Sequence, residues 1–282
     1  MNRVKVITDS CADLSADLVK KFDLDVVPMY VQIEGKSYLD GIEMTTEELY
    51  RLVEKSNTLP KTAAPSSGDF YERFSKWINA GYDVIYVGLS SKLSAAYQAA
   101  RIAAEGFDEN RLKLVDTHSL STGIGLLTLK AAEMAQEGKG LEEIYQKVSA
   151  LVPKVRVSFM IDTLKYLHMG GRCSSIQLLA SNVLKIRPQI IVKDGGMIVG
   201  AKFRGKRASC LNQFYEEAVG DGSQINRQRV FVTHSACSPE ECMDFKRRLE
   251  ELGISEVYIT QAGTVISSHC GPGTIGILYI ED

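Results

Sequence analysis

Strand and helix patterns alternate through the first two-thirds of this chain, and that alternation limits the possible folds more than any other feature. "RVKVIT" (3–8) is a short β-branched run ending at the polar turn Thr8, Asp9, Ser10. "DVVPMYVQI" (25–33), "DVIYVGL" (83–89) and "LKLVDT" (112–117) read as further strands. The run at 83–89 is almost unbroken in apolar residues, as in a strand covered on both faces. Helical spacing appears at 44–56, where Thr45 or Thr46 can cap and Glu48 can complete a capping box. It appears again in the Ala-rich stretch 93–107 and at 121–138, which stops at Gly138. Such alternation specifies a parallel sheet with helices on both faces.

The rest of the chain has a different rhythm. After a strand at 155–162, residues 186–203 read as two strands joined through Asp194, Gly195 and Gly196, a hairpin signal. Strands at 229–235 and 256–260 flank a helix at 239–252, and a last strand covers Ile275–Ile280. A chain of 282 residues suits one large α/β domain or two smaller ones. The expected fold is therefore α/β in two domains. An N-terminal parallel α/β/α domain covers 1–154, a C-terminal α/β domain with a mixed sheet covers 155–282, and a cleft lies between them.

Composition excludes several function classes. With 33 basic and 35 acidic side chains, no global field attracts nucleic acid or an anionic membrane. The basic run Lys202, Arg204, Lys206, Arg207 reads as a solvated face or a local docking patch. "MNRVKVITDS" enters a strand pattern directly, without a leader's apolar stretch, and no apolar run reaches the ~18 to 20 residues of a membrane span. Six scattered cysteines without a CxxC motif fit reduced thiols and a cytoplasmic location. His234, Cys237 and Cys242 lack a fourth ligand at a metal-site spacing, so no metal and no cofactor are expected.

Small polar residues gather where the strands end: Thr8, Asp9, Ser10; Ser90, Ser91, Ser94; Asp116, Thr117, Ser119, Ser121, Thr122. Each could be a helix cap. Together they mark the carboxyl edge of a parallel sheet, where ligands bind. The irregular segment 58–70 adds Thr62. "LKYLHMGGRCSS" (164–175) adds two glycines, which permit close backbone approach, and Arg172, suited to a carboxylate, a phosphate or a structural salt bridge. Ser174 or Ser175 is available to cap a following helix, and His168 reads as a surface residue. Near the end, "SSHCGPG" (267–273) holds His269 beside tight backbone geometry. Ser94, His269 and Asp116 would make a hydrolase triad, although the nearest approach to a G-x-S-x-G elbow is "GLSSK" (88–92). There is no GxxxxGK[ST] loop, and no GxGxxG motif follows the first strand.

Six stretches in this order resemble the DegV family of bacterial fatty-acid-binding proteins: "ITDSCADLS" (7–15), "KTAAPSSGDF" (61–70), "GLSSKLSAAYQAA" (88–100), "DTHSLSTGIG" (116–125), "LKYLHMGGRCSS" (164–175) and "SSHCGPGTIGI" (267–277). The resemblance spans nearly the whole chain and implies a two-domain DegV-like fold that buries one acyl chain between the domains. It further implies the acyl-carrying subunit of bacterial fatty acid kinase. That subunit is not itself an enzyme. It binds a long-chain fatty acid, presents the carboxylate to a separate ATP-dependent kinase subunit, and carries the acyl phosphate to an acyltransferase of phospholipid synthesis. Membrane contact would be at most transient. By motif, Thr62, Ser94 and His269 would bind the carboxylate and Arg172 would face the headgroup or the kinase. The family more often has Thr-Ser-x-Pro at Thr62–Pro65 and Ser-Gly-Thr-Tyr at Ser94–Tyr97, and both anchor hydroxyls are kept here. A lipid hydrolase or acyltransferase built on serine and histidine is the alternative.

Overall fold

A computed structural model of the chain describes residues 2–173 and 186–282. The chain opens with β1 (Val4–Asp9), helix α1 (Ala16–Lys21) and β2 (Asp25–Val27). Contrary to the single strand expected over 25–33, the ladder breaks at Pro28, which has no N–H to donate. Beyond it, β3 (Tyr30–Ile33) turns through Glu34 and Gly35, both at positive φ, into β4 (Lys36–Leu39). Helix α2 (Thr46–Ser56) starts at the expected capping box, with Thr45 and Glu48 bonded reciprocally. Strand β5 (Lys61–Ala63) then pairs with β3 and completes a separate three-stranded antiparallel sheet, β4-β3-β5, which the sequence does not announce.

Helix α3 (Ser67–Asn79) follows, capped by Ser66 and Asp69, with Phe70 and Phe74 buried one turn apart. Then come β6 (Asp83–Gly88), α4 (Ala96–Ala104), β7 (Leu112–Asp116), α5 (Thr122–Gln136) and α6 (Leu141–Leu151). The order β2-β1-β6-β7, parallel throughout, is the sheet expected from the alternation. Helix α4 begins at Ala96 rather than near Leu93.

The second half supplies β8 (Val155–Met160), α7 (Lys165–Gly170), β9 (Ile186–Lys193), β10 (Gly196–Arg204), α8 (Arg207–Val219), β11 (Ile225–Ser235), α9 (Pro239–Glu251), β12 (Glu256–Gln261), α10 (Thr264–Cys270) and β13 (Thr274–Glu281). Its sheet runs β10-β9-β8-β13-β11-β12, and only β11 and β12 are parallel, so it is mixed as expected. The hairpin turn at Asp194 and Gly195 has both residues at positive φ. Ser174 and Ser175, with their proposed cap, lie outside the described residues.

Helix α5 lies between the two large sheets, touching β1 and β6 on one side and β8, β11 and β13 on the other. It is buried almost all round, which explains why its sequence lacks a polar face. Its apolar residues join one core that takes in Ile7 and Val87 of the parallel sheet and Phe159, Phe231 and Leu278 of the mixed sheet. On β13 the side chains alternate: Leu278 enters this core, while Ile275 and Ile277 enter a second one on the far face. Among the described residues no helix is long and apolar enough to cross a membrane.

Candidate functional site

Between the carboxyl ends of the parallel strands and the inner face of the mixed sheet lies a cavity of about 270 Å³. Leu89 and Leu93 follow β6 and Leu120 follows β7; Val157 and Phe159 come from β8 and Leu278 from β13. The wall is thus chiefly apolar, and its position obeys the rule that ligands bind beyond the carboxyl ends of parallel strands. Thr62, Ser94, Arg172 and His269, distant in sequence, all border this one cavity.

Each reaches it by a different local device. Thr62 lies on β5, opposite Val31 of β3. His269 is near the end of α10, a seven-residue helix that the sequence pattern does not reveal. Gly271 and Gly273, at φ +77° and +78°, turn the chain back immediately behind it. Their amides donate to the Ser267 carbonyl at 3.0 Å and the Ser235 carbonyl at 2.7 Å. A β-carbon at Gly271 would come within 2.6 Å of the Tyr166 ring. The close approach expected of the Gly-Gly pair is also real. Gly170 lies against Nδ1 of His269, and a β-carbon there would overlap the imidazole.

Thr62 Oγ1 and His269 Nε2 are 2.9 Å apart. Nδ1 is buried without a hydrogen-bond partner. Burial, and secondarily the charge of Arg172, pushes the imidazole pKa down to about 4, so the ring is neutral at pH 7. A buried N–H with no acceptor costs more than a bare lone pair. The proton therefore sits on Nε2 and is donated to Thr62 Oγ1, which leaves the threonine proton free for a ligand. Ser94 Oγ accepts from the Ala96 amide at 3.2 Å and likewise keeps its own proton. Arg172 is exposed at the rim, where Nη1 donates to the Gly170 carbonyl at 2.6 Å. A chiefly apolar cavity is thus bordered by two hydroxyl donors, an imidazole and a cation, a set complementary to a small anionic headgroup.

The other polar strand ends are mostly consumed by the fold. Asp9 is fully buried and accepts from the Tyr86 hydroxyl and the Leu89 and Cys11 amides. Thr8, Ser90 and Thr117 donate to main-chain carbonyls. The hydrolase triad does not assemble. His269 faces Thr62 instead of a carboxylate, while Asp116 accepts from the Ser91 and His118 amides away from the cavity. Of the Ala-rich helix only the preceding Ala95 borders the cavity, and Ala96, Ala100 and Ala103 pack into the core. Within the basic run, Arg207 is committed to Glu241 and Asp162, and Lys202, Arg204 and Lys206 are exposed. His234 accepts from the Cys237 amide at 3.4 Å, and Cys242 is buried on α9. Among the described residues no group of three or more potential metal ligands forms. Met29, Met197, Thr233 and Ser235 also border the cavity, which no motif or periodicity signals. Thr233 and Ser235 lie on β11, Met197 on β10 and Met29 between β2 and β3.

An α/β protein whose parallel and mixed sheets enclose a chiefly apolar cavity bordered by hydroxyls and an imidazole is a defined architecture. The chain belongs to the DegV family, whose profile, described as "Uncharacterised protein, DegV family", matches residues 3–282. A DegV domain-containing protein of Caldanaerobacter subterraneus subsp. tengcongensis is 33% identical over 286 residues, covering 100% of both chains. Among solved structures, a fatty-acid-binding DegV family protein from Thermus thermophilus has a TM-score of 0.92 at 29% identity, covering 99% of this chain and 100% of its own. DegV of Bacillus subtilis, a fatty acid binding protein, has a TM-score of 0.88 at 27% identity, with 100% of both chains covered. A stearic acid-binding protein from Eubacterium ventriosum has a TM-score of 0.87 at 26% identity over 99% of this chain and 98% of its own.

Proposed function

We propose that this chain binds one long-chain fatty acid, with its tail in the cavity and its carboxylate against Thr62, Ser94 and His269. The observation that carries the reading is that those three residues and Arg172 all border a single, chiefly apolar cavity, with Thr62 and His269 in direct contact. Energetics agree. A tail of ~15 methylenes gains roughly 12 kcal/mol on burial before ordering costs. A carboxylate cannot be buried without hydrogen-bond donors, which the two hydroxyls supply. The fatty-acid-binding relatives of the same fold support the ligand class. In this reading residues 1–154 and 155–282 act as two domains sharing the lipid site. The test is direct: delipidated protein should take up radiolabelled palmitic acid at a ratio near one, and protein denatured after purification should release fatty acid detectable by mass spectrometry. No uptake of any common chain length would end the reading.

The finer proposal is that the protein is a cytoplasmic carrier, without catalysis of its own, that presents the carboxylate to a separate kinase subunit and passes the acyl phosphate toward phospholipid synthesis. Arg172 supports it, because an exposed guanidinium at the rim suits the larger charge of a phosphorylated headgroup. Arg172→Ala should bind palmitic acid within about twofold of the unaltered protein, since the chain supplies most of the affinity. It should lose phosphorylation when a fatty acid kinase subunit and ATP are added. Unchanged phosphorylation would reduce Arg172 to its contact with the Gly170 carbonyl.

A further inference from the structure

Helix α10 carries His269 but brings no capping side chain of its own, since its N-cap is Gly263. Two turns of helix are not stable alone. Its first amides are met by carboxylates from the opposite end of the chain. Asp40 Oδ1 accepts from both the amide and the hydroxyl of Thr264, each at 2.7 Å. Asp13 Oδ1 accepts from the Gly263 amide at 2.8 Å. A β-carbon at Gly263 would come to 2.9 Å from Asp40 and 3.2 Å from Asp13, so glycine makes this approach possible. The second oxygen of Asp40 accepts from the Ser10 hydroxyl at 2.7 Å, and the whole residue is only 3% exposed.

The placement of Asp40 gives this contact its meaning. Asp40 follows β4, and Thr62 lies on β5 of the same three-stranded sheet. That sheet and α2 grip α10 along its length. Asp40 holds its first residue, Thr46 donates to the Ala262 carbonyl at 2.8 Å, Tyr50 donates to the Ser267 carbonyl at 3.2 Å, and Thr62 meets His269. From Thr264 to His269 the helix rises ~7.5 Å, so a tilt of roughly ten degrees at its start moves the imidazole about 1 Å. A contact of 2.9 Å does not survive that displacement.

We infer that Asp40 is a positioning residue for the headgroup site, acting through α10 to hold the His269 imidazole against Thr62. The inference rests on the proposed function in assigning that site to a carboxylate, whereas the coupling between Asp40 and the imidazole does not depend on it. The experiment compares Asp40→Ala with the unaltered protein by two measurements. In the lipid-free unaltered protein, imidazole ¹⁵N resonances should show His269 protonated at Nε2 alone, and in Asp40→Ala they should show tautomer averaging. The preference for palmitic acid over hexadecanol should fall at least roughly fivefold, with hexadecanol affinity kept within about twofold. Unchanged resonances, or equal losses for acid and alcohol, overturn the inference. If Asp40→Ala does not fold, Thr264→Val removes one of the same hydrogen bonds without opening a cavity and decides in its place. Should the unaltered protein take up neither lipid, the fatty-acid reading falls and the resonances still decide the positioning.

Discussion

Thr62→Val should weaken palmitic acid binding by roughly ten- to a hundredfold while leaving hexadecanol affinity nearly unchanged. Valine keeps the β-branched shape that suits β5, so the strand should persist. Two polar losses coincide. The ligand loses the free threonine proton, and His269 Nε2 loses the acceptor now 2.9 Å away, leaving a buried N–H unpaired. Each loss costs on the order of 1–3 kcal/mol, and an alcohol headgroup demands far less of these donors than a carboxylate. The apolar tail contributes equally to both ligands and cancels. Calorimetric titration of delipidated protein with both compounds measures the effect. If the variant keeps its preference for the acid, Thr62 is not a headgroup residue. Ser94→Ala should act in the same direction, and more than additively when combined with Thr62→Val, since groups in one network couple.

A second large effect is expected from acid. The His269 pKa is about 4 in the folded protein and near 6.5 when unfolded. As pH falls through 6.5 the unfolded chain takes up the proton first, so this residue's contribution to stability is full above 6.5 and is lost on the way down to 4. The loss is on the order of 2–3 kcal/mol. Asp9 and Asp13 act with the opposite sign, because burial raises their folded pKa values and the stability they contribute is lost as pH rises. The histidine effect is therefore read as a difference. The stability advantage of the unaltered protein over His269→Gln, from urea denaturation, should shrink by that amount between pH 7 and pH 4. Parallel curves would mean that the imidazole is not held neutral by its surroundings.

Much of this fold could be read locally. Apolar runs at 83–89 and 112–117 gave the central strands, Asp194 and Gly195 gave the hairpin, and Thr45 with Glu48 gave the start of α2. Helix α3 was missed: 58–70 reads as irregular, yet Ser66 and Asp69 form a capping box and the helix runs Ser67–Asn79 with Phe70 and Phe74 buried. Helix α10 was missed as well. Its β-branched residues and serines show no helical period, and the groups that cap it lie on Asp13 and Asp40. Strand β5 is three residues long and exists because β3 is beside it. Thr62, Ser94, Arg172 and His269 came from motif resemblance, and chain pattern alone would not have put them together. The hydrogen bond between Thr62 and His269 joins residues 207 apart, beyond the reach of periodicity.

Helix α5, enclosed by both large sheets, bears on how a lipid could come and go. Swinging the sheets apart would expose Ile124, Leu126, Leu127 and Leu129, all of which are at most 2% accessible. At ~1.5–3 kcal/mol per side chain, that exposure costs on the order of 10 kcal/mol, as much as the whole folding stability of a typical domain. A clamshell-opened state would then be populated to only about one part in 10⁷. Under the proposed lipid-binding reading, exchange is expected to run past the exposed wall residues, Ala95 and Arg172, with the core undisturbed. Loading and unloading rates should then track fluctuations at that rim and be insensitive to the global stability of the protein.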